Sequence, residues 1–174
     1  RRDFFSVNSA FSAIKLKYGN DKMKQNWRNK KMAKAIIIYE TRSGNTEMMA
    51  KAIETGLKKA GVEVELKKAA NANVDDLKDV DAVVLGSPTY VRSLIAAMKT
   101  FLFVMDNADL KGKVGAAFGS YGWSGESIEI LTETMNNLAG MDVIEPGLRI
   151  KRRPTEKGLE ECREFGKKIA EKIK

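Results

Sequence analysis

Apolar residues follow two different spacings along the chain from residue 34 onward. Short apolar runs, several of them β-branched, predict buried strands, and longer segments with apolar residues three or four positions apart predict amphipathic helices. The predicted strands cover 34–39, 62–66, 81–86 and 113–119, with an interrupted strand over 142–150. The predicted helices cover 46–60, 94–104, 126–138 and 155–173, with a short helical turn over 73–77.

This alternation of strands and helices predicts one α/β domain. The expected architecture is a doubly wound, five-stranded parallel sheet with right-handed crossovers and helices on both faces. A ligand of such a sheet binds at the carboxyl ends of the strands, beside the point where the strand order reverses. The loops after the first, third and fourth strands are therefore the candidate binding site.

The net charge of +8 changes this picture little, because it is concentrated in residues 1–31. That segment holds nine Lys and Arg against two acids, whereas residues 32–174 hold 22 basic and 21 acidic residues. We interpret residues 1–31 as a basic extension outside the domain, and residues 32–174 as the domain itself. The extension is either foreign to the domain, the tail of an upstream domain, or a targeting or binding arm.

The distribution of charge and of apolar residues indicates whether the chain is expected to bind nucleic acid or to span a membrane. The nearly neutral domain is not expected to bind nucleic acid, and binding through residues 1–31 would weaken steeply with salt. No apolar run reaches the ~18 residues of a membrane span.

The residue types also limit the chemistry. There is no histidine and only one cysteine, Cys162. A Ser-His-Asp triad and an internal disulfide are excluded, little remains for a zinc or iron site, and no catalytic or metal-binding residue is predicted. A lone cysteine fits a reducing compartment and predicts a cytoplasmic location. Cys162 lies on the apolar stripe of the last helix and is expected to be buried.

The loop after the first strand has the composition of a phosphate site. Residues 41–46 combine three hydroxyl side chains, an amide and Gly44 immediately before a helix. Unpaired backbone N–H groups and the helix dipole favour an anion there, and glycine permits close backbone approach. The loop lacks the Gly-Lys-Ser/Thr ending of nucleotide triphosphate loops and the G-x-G-x-x-G fingerprint. A plain helix cap by Ser43 or Asn45 is the alternative.

The other two loops supply aromatic rings. Tyr121 and Trp123 stand between glycines in the loop after the fourth strand, and Tyr90 follows the third strand. Flat rings offer stacking surfaces, and the glycines let backbone N–H groups reach the edge of a bound ring. Local packing of these aromatic side chains is the alternative.

Two of these loops resemble those of the flavodoxin family. The run Ile-Ile-Tyr-Glu-Thr-Arg-Ser-Gly-Asn-Thr at 37–46, followed by Ala50 and Ile53, is similar to the phosphate-binding signature of flavodoxins. The run Gly-Ser-Tyr-Gly-Trp-Ser-Gly-Glu at 119–126 resembles the loop in the flavodoxin modules of flavo-diiron (A-type) flavoproteins. The resemblance covers about residues 33–174 and is weaker in the loop after the third strand. It implies a flavodoxin-like fold, FMN as a non-covalent cofactor and electron transfer as the function.

The resemblance also implies which residues bind FMN. The first loop would hold the phosphate, Trp123 would stack on the ring with Tyr121 at the rim, and Tyr90 would lie against the flavin. The implied cofactor-binding residues are Thr41, Arg42, Ser43, Gly44, Asn45, Thr46, Ser87, Pro88, Thr89, Tyr90, Val91, Ser120, Tyr121, Gly122, Trp123 and Gly125.

Two of these positions depart from the family pattern. Arg42 adds a positive charge that either tightens phosphate binding or faces water. Val91 stands where many flavodoxins carry a glycine whose peptide flips, and a β-branched residue resists positive φ. We therefore expect that flip to be hindered.

The function implied is that of an electron carrier that docks briefly with redox partner proteins through a small interface. The main alternative is a flavin module, or a free-standing relative, of a flavo-diiron oxygen or nitric oxide reductase. A quinone reductase would need a nicotinamide site, for which no insertion is large enough. A non-redox binding module such as a receiver domain would need acidic clusters that Glu40-Thr41 and Ser87-Pro88 do not provide.

Overall fold

The computed structural model describes residues 32–174, of which Ala33–Lys174 form one compact unit. The interpretation of residues 1–31 as an extension lies outside the described residues. None of the helices within 32–174 has both the length and the apolar character needed to cross a membrane.

The sheet has the predicted five parallel strands, in the order β2-β1-β3-β4-β5. The strands are β1 (Lys34–Tyr39), β2 (Glu63–Lys68), β3 (Ala82–Gly86), β4 (Val114–Tyr121) and β5 (Asp142–Lys151). The order reverses between β1 and β3, so the loops that follow these two strands and β4 lie at the carboxyl edge of the sheet. The predicted fold class is confirmed.

Helices cover both faces of the sheet. They are α1 (Asn45–Lys59), α2 (Ala96–Met105), α3 (Glu126–Glu133) and α4 (Glu156–Lys172), and two 3₁₀ turns cover Ala69–Asn71 and Val74–Leu77. Helices α1 and α4 enclose one apolar core and helices α2 and α3 enclose the other. Strand β1 supplies both cores, because Ile37 points to one side and Ile36 and Ile38 to the other, all fully buried.

The structure differs from the predictions at several element ends. Strand β2 runs to Lys68 instead of 66, and α2 begins at Ala96 instead of 94. Strand β4 continues to Tyr121, two residues beyond the predicted end at Gly119, so Ser120 and Tyr121 pair with β5 instead of beginning a loop. The predicted helix over 126–138 is α-helical only to Glu133 and continues as a π-helical turn over Thr134–Leu138. The interruption in β5 is a register shift: Ala116 pairs with Ile144, and Phe118 with Leu148.

Candidate functional site

The loop between β1 and α1 leaves a row of backbone N–H groups at a helix N-terminus. Gly44, the residue before α1, has φ 81° and no side chain caps the helix. The Gly44 N–H donates to the Thr41 hydroxyl (3.0 Å). Among the residues described, the N–H groups of Arg42, Ser43, Asn45 and Thr46 have no hydrogen-bond acceptor. The alternative of a plain cap by Ser43 or Asn45 is therefore wrong.

Glycine is required at position 44 by its backbone angle. A side chain there would be strained at φ 81°, yet a Cβ atom would meet nothing within 4 Å. The space in front of the loop is open, and the helix dipole makes that space favourable for an anion.

The first and third loops meet beneath the surface. The hydroxyls of Thr46 and Ser120 are 3.0 Å apart, and Thr46 is fully buried and Ser120 5% exposed. Both residues were predicted to bind the cofactor. A hydroxyl has one proton to donate, so only one of this pair keeps a free donor for a ligand.

The base of the second loop is fixed by a chain of hydroxyl groups. The Thr89 hydroxyl donates to the Ser127 hydroxyl (2.8 Å), which donates to the Ser87 carbonyl (3.1 Å). The Ser127 N–H donates back to the Thr89 hydroxyl (3.2 Å) and so satisfies one donor at the start of α3. Ser87 and Pro88 are buried under the loop and support its backbone. Ser127 is not among the predicted site residues, because its role depends on contacts with residues 38 and 40 positions away.

The tip of the second loop is a two-residue turn. Tyr90 and Ser93 exchange two backbone hydrogen bonds of 2.9 Å, and Val91 and Arg92 between them have φ 48° and 55°. Positive φ at both central residues is the geometry of a tight hairpin turn that usually contains Asn or Gly. Val91 adopts positive φ although β-branched residues disfavour it, because the closed turn holds it there, and the residue is 96% exposed. That its peptide flip is hindered stays a prediction.

Two arginines join the loops. The Arg42 guanidinium lies over the Tyr90 ring, 5.0 Å from its centroid, which links the first loop to the second. The Arg92 Nε donates to Glu126 Oε1 (3.1 Å), which links the second loop to the third. From the sequence, Arg42 is expected either to tighten phosphate binding or to face water. Its contact with Tyr90 joins two separate loops, and such a contact leaves no local pattern in the sequence.

Glu126 is a charged group at this edge whose carboxyl has several stabilising neighbours. The Ser124 hydroxyl, the Glu126 backbone N–H and the Arg92 guanidinium hold the pKa of the carboxyl below its usual range. Its Oε2 is buried and has no hydrogen-bond partner among residues 32–174. The carboxylate stands at the first position of α3, where the helix dipole also favours negative charge.

The third loop exposes its largest side chain. Trp123 is 94% exposed, whereas Tyr121 is half-buried at the end of β4. Gly122 faces open space, since a Cβ there would meet no atom within 4 Å. Gly125 packs against Arg149 of β5, whose guanidinium pairs with Glu129 of α3 (2.7 Å). Local packing therefore does not explain the Trp123 side chain.

The structure brings the three predicted loops to one edge of the sheet, with hydroxyls and N–H groups on the first and aromatic side chains on the second and third. In the part of the chain that the structure describes, no cluster of three acidic or cysteine side chains is positioned to hold a metal ion. Cys162 lies away from these loops and is fully buried, as predicted, and burial raises the pKa of its thiol to about 12.

Comparison with known proteins gives a consistent result. The flavodoxin family profile matches residues 37–166. A solved structure of a flavodoxin from the domain Archaea is 41% identical, covers 80% of this chain and 98% of its own, and superposes with a TM-score of 0.78. A nitric oxide reductase of Moorella thermoacetica is 37% identical over 145 residues, which are 81% of this chain and 36% of the reductase. The type A flavoprotein of Rhodobacter capsulatus is 34% identical over 143 residues, 79% of this chain and 33% of that protein.

The chain thus spans about a third of the length of these curated relatives and nearly the whole length of the archaeal flavodoxin. The matched residues include all three loops at the carboxyl edge of the sheet. The chain therefore belongs to the flavodoxin family, whose cofactor is FMN and whose members transfer electrons, and it is related to the type A flavoproteins.

Proposed function

We propose that residues 32–174 bind one FMN at the carboxyl edge of the sheet, with the phosphate in the loop 41–46 and the flavin ring at Tyr90 and Trp123. In this proposal the domain carries electrons between redox partner proteins that dock briefly at the same edge. The observation that carries it is the row of unpaired N–H groups in the first loop, adjoining two loops that present aromatic side chains. The lone buried Cys162 supports a reducing location, which we assign to the cytoplasm.

The donor set of the first loop fits a phosphate. It offers backbone N–H groups, the exposed Ser43 hydroxyl, a helix N-terminus and the open space before Gly44. Arg42 is the one cation of this loop, and its guanidinium lies over Tyr90 instead of pairing with an acid among the described residues. We propose that the phosphate is held mainly by neutral donors, with Arg42 adding long-range attraction.

The aromatic side chains fit a flat heterocycle. An almost fully exposed tryptophan is costly in water, and stacking on a flavin would bury its face. The open space beside Gly122 leaves its backbone accessible to the ring edge. FMN, when bound, supplies the electron chemistry. The protein's part is to orient the ring and to keep water from its faces, which the Arg92–Glu126 pair assists by joining the second loop to the third.

A second candidate is a flavin module that works beside further domains. The observation in its favour is the length of the curated relatives, of which this chain covers about a third. Both functions use the same flavin site, so they differ only in the identity of the electron partner.

The experiment is a titration of limiting FMN with the flavin-free full chain, followed by flavin fluorescence. We expect quenching that saturates at one equivalent, and much weaker binding of riboflavin, which lacks the phosphate. Trp123→Ala should raise the Kd about tenfold, which corresponds to the worth of one aromatic stacking contact. Phe103→Ala is the matched control, because Phe103 is also exposed (78%) but lies on α2, away from the loops.

Each arm tests a separate part of the proposal. Equal affinity for FMN and riboflavin would show that the first loop does not hold the phosphate. An unchanged Kd in Trp123→Ala would remove that residue from the ring site. Absence of quenching at micromolar concentrations would refute flavin binding as a whole.

A further inference from the structure

One face of α2 carries residues that the flavin site does not use. Lys99, Leu102, Phe103 and Asp106 are spaced i, i+3, i+4 and i+7, so they form a single stripe along the helix. Phe103 is 78% exposed and Lys99 and Asp106 are also exposed. Large apolar side chains in such positions mark interaction surfaces when they adjoin further apolar area.

An apolar groove lies beside this stripe. It has a volume of about 420 Å³ and separates α2 from α3 and the π-helical turn. Its far wall carries Ile130 and Leu138, and Leu138 is 73% exposed. The face therefore has both a projecting aromatic side chain and a recess lined with apolar atoms.

The two charges of the stripe have no ion-pair partner in the described part of the chain. Neither Lys99 nor Asp106 forms an ion pair with any residue in 32–174. Seven residues of helix separate them by about 10 Å, too far for contact with each other. The order of these charges is unfavourable for the helix dipole of α2. The basic Lys99 is in the first turn of the helix, and the acidic Asp106 comes directly after its last turn.

We propose that this face forms a homodimer in which α2 packs antiparallel against α2 of a second copy. The midpoint between Lys99 and Asp106 falls between Leu102 and Phe103. A two-fold axis at that point places Lys99 of each copy opposite Asp106 of the other, with the two Phe103 side chains at the centre. The same patch is then complementary to itself, as a two-fold interface requires.

Charge complementarity favours a second copy of this chain as the partner that covers the α2 stripe. Antiparallel packing pairs both exposed charges and sets each helix terminus beside the opposite charge. It also covers Phe103 with apolar surface of the other copy. With α2 about 15 Å long, the interface is at the small end of specific interfaces. We expect a weak, reversible dimer.

The experiment is sedimentation equilibrium of the full 174-residue chain from about 5 to 500 μM, with and without FMN. Wild type should pass from monomer to dimer over this range. Lys99→Asp, or Asp106→Lys, places like charges opposite each other twice and should raise the Kd about tenfold or more. The double variant Lys99→Asp/Asp106→Lys restores both pairs and should return the Kd to within about threefold of wild type.

The controls separate pairing from folding and from net charge. Lys157→Asp makes the same charge change on the exposed surface of α4, where Lys157 has no ion pair among the described residues, and should leave the Kd unchanged. Phe103→Ser removes the central contact without opening a cavity and should abolish the dimer. A monomer at all concentrations overturns the proposal. An unchanged dimer Kd in Lys99→Asp and Asp106→Lys also overturns it. So does a double variant whose dimer Kd remains as high as that of the single variants. None of these outcomes depends on flavin binding, so the two proposals fail independently.

Discussion

The side-chain hydroxyls of Thr46 and Ser120 lie 3.0 Å apart in the protein interior, although the residues are 74 positions apart in sequence. Thr46 is in the first turn of α1, and Ser120 is near the end of β4. Their hydrogen bond therefore ties the phosphate loop to the strand that carries the aromatic loop.

Replacing Thr46 with valine tests that link. Thr46→Val keeps the shape and leaves the Ser120 hydroxyl buried without its partner, which should lower the free energy of unfolding by about 1–2 kcal/mol. The measurement is urea denaturation of the flavin-free protein. Thr55→Val, on the exposed side of α1, is the control and should change stability by no more than about 0.5 kcal/mol.

The double variant sharpens this test. Thr46→Val/Ser120→Ala removes both hydroxyls, so no partner is left unsatisfied. The two losses should be less than additive by about 1 kcal/mol. Strict additivity would mean that the pair contributes no interaction energy.

The turn at Val91 should become more stable when the β-branched residue is removed. Val91 has φ 48° and a side chain that is 96% exposed, so it contributes strain and no burial. Val91→Gly should raise the free energy of unfolding by about 0.5–1 kcal/mol, because glycine adopts positive φ without steric cost. Val64→Gly, in strand β2, is the contrasting control: Val64 packs against the core, so its loss should lower stability by about 2 kcal/mol or more. A loss of stability in Val91→Gly would contradict the strained turn.

Two glycines of the same region should respond differently to alanine. A Cβ at Gly119 would lie 2.1 Å from the Ser87 carbonyl oxygen, whereas one at Gly122 would meet nothing within 4 Å. Gly119→Ala should destabilise the domain by about 3 kcal/mol through overpacking, and Gly122→Ala by no more than about 0.5 kcal/mol. Thermal unfolding of the two variants gives the comparison. Equal shifts of Tm would rule out the close approach of β4 to the second loop.

Cys162 should be inert in the native protein. Its side chain is fully buried and its thiol has a pKa of about 12, so at pH 8 only about one molecule in ten thousand carries the thiolate. A disulfide reagent such as dithionitrobenzoate should label it only after unfolding in urea. Because the folded pKa is above the unfolded value of 9.0, stability from this group is constant below pH 9 and is lost as pH rises towards 12. Labelling of the native protein within minutes would contradict this burial.

The regular structure, and the edge of the sheet at which the three loops meet, could be predicted from the sequence. The apolar run at 34–39 is long enough for a strand and is buried on both faces, and the structure has β1 over Lys34–Tyr39. The stripe of the last helix gave its limits to within one residue at each end, because Leu159, Phe165 and Ile169 repeat along one face. Parallel strands then require their following loops to meet at one edge.

The contacts between loops could not be predicted. Arg42 over Tyr90 and Arg92 with Glu126 join residues more than 30 positions apart, and no local spacing encodes them. Positive φ at Val91 also has no local signal, because the closed turn imposes it against the residue's own preference. The end of β4 was placed too early since the glycine at 119 indicates a loop, whereas here it permits close packing inside a strand.

The most direct test of the flavin site is a ¹⁵N–¹H correlation spectrum of the full chain during titration with FMN. Binding at the carboxyl edge predicts saturable shifts at one equivalent for the amides of residues 41–47, 89–93 and 121–125. Amides of the α2–α3 groove, such as those of Leu102 and Leu138, should not move with the FMN concentration. Shifts that cluster in the groove, or the absence of any saturable shift, would contradict the account.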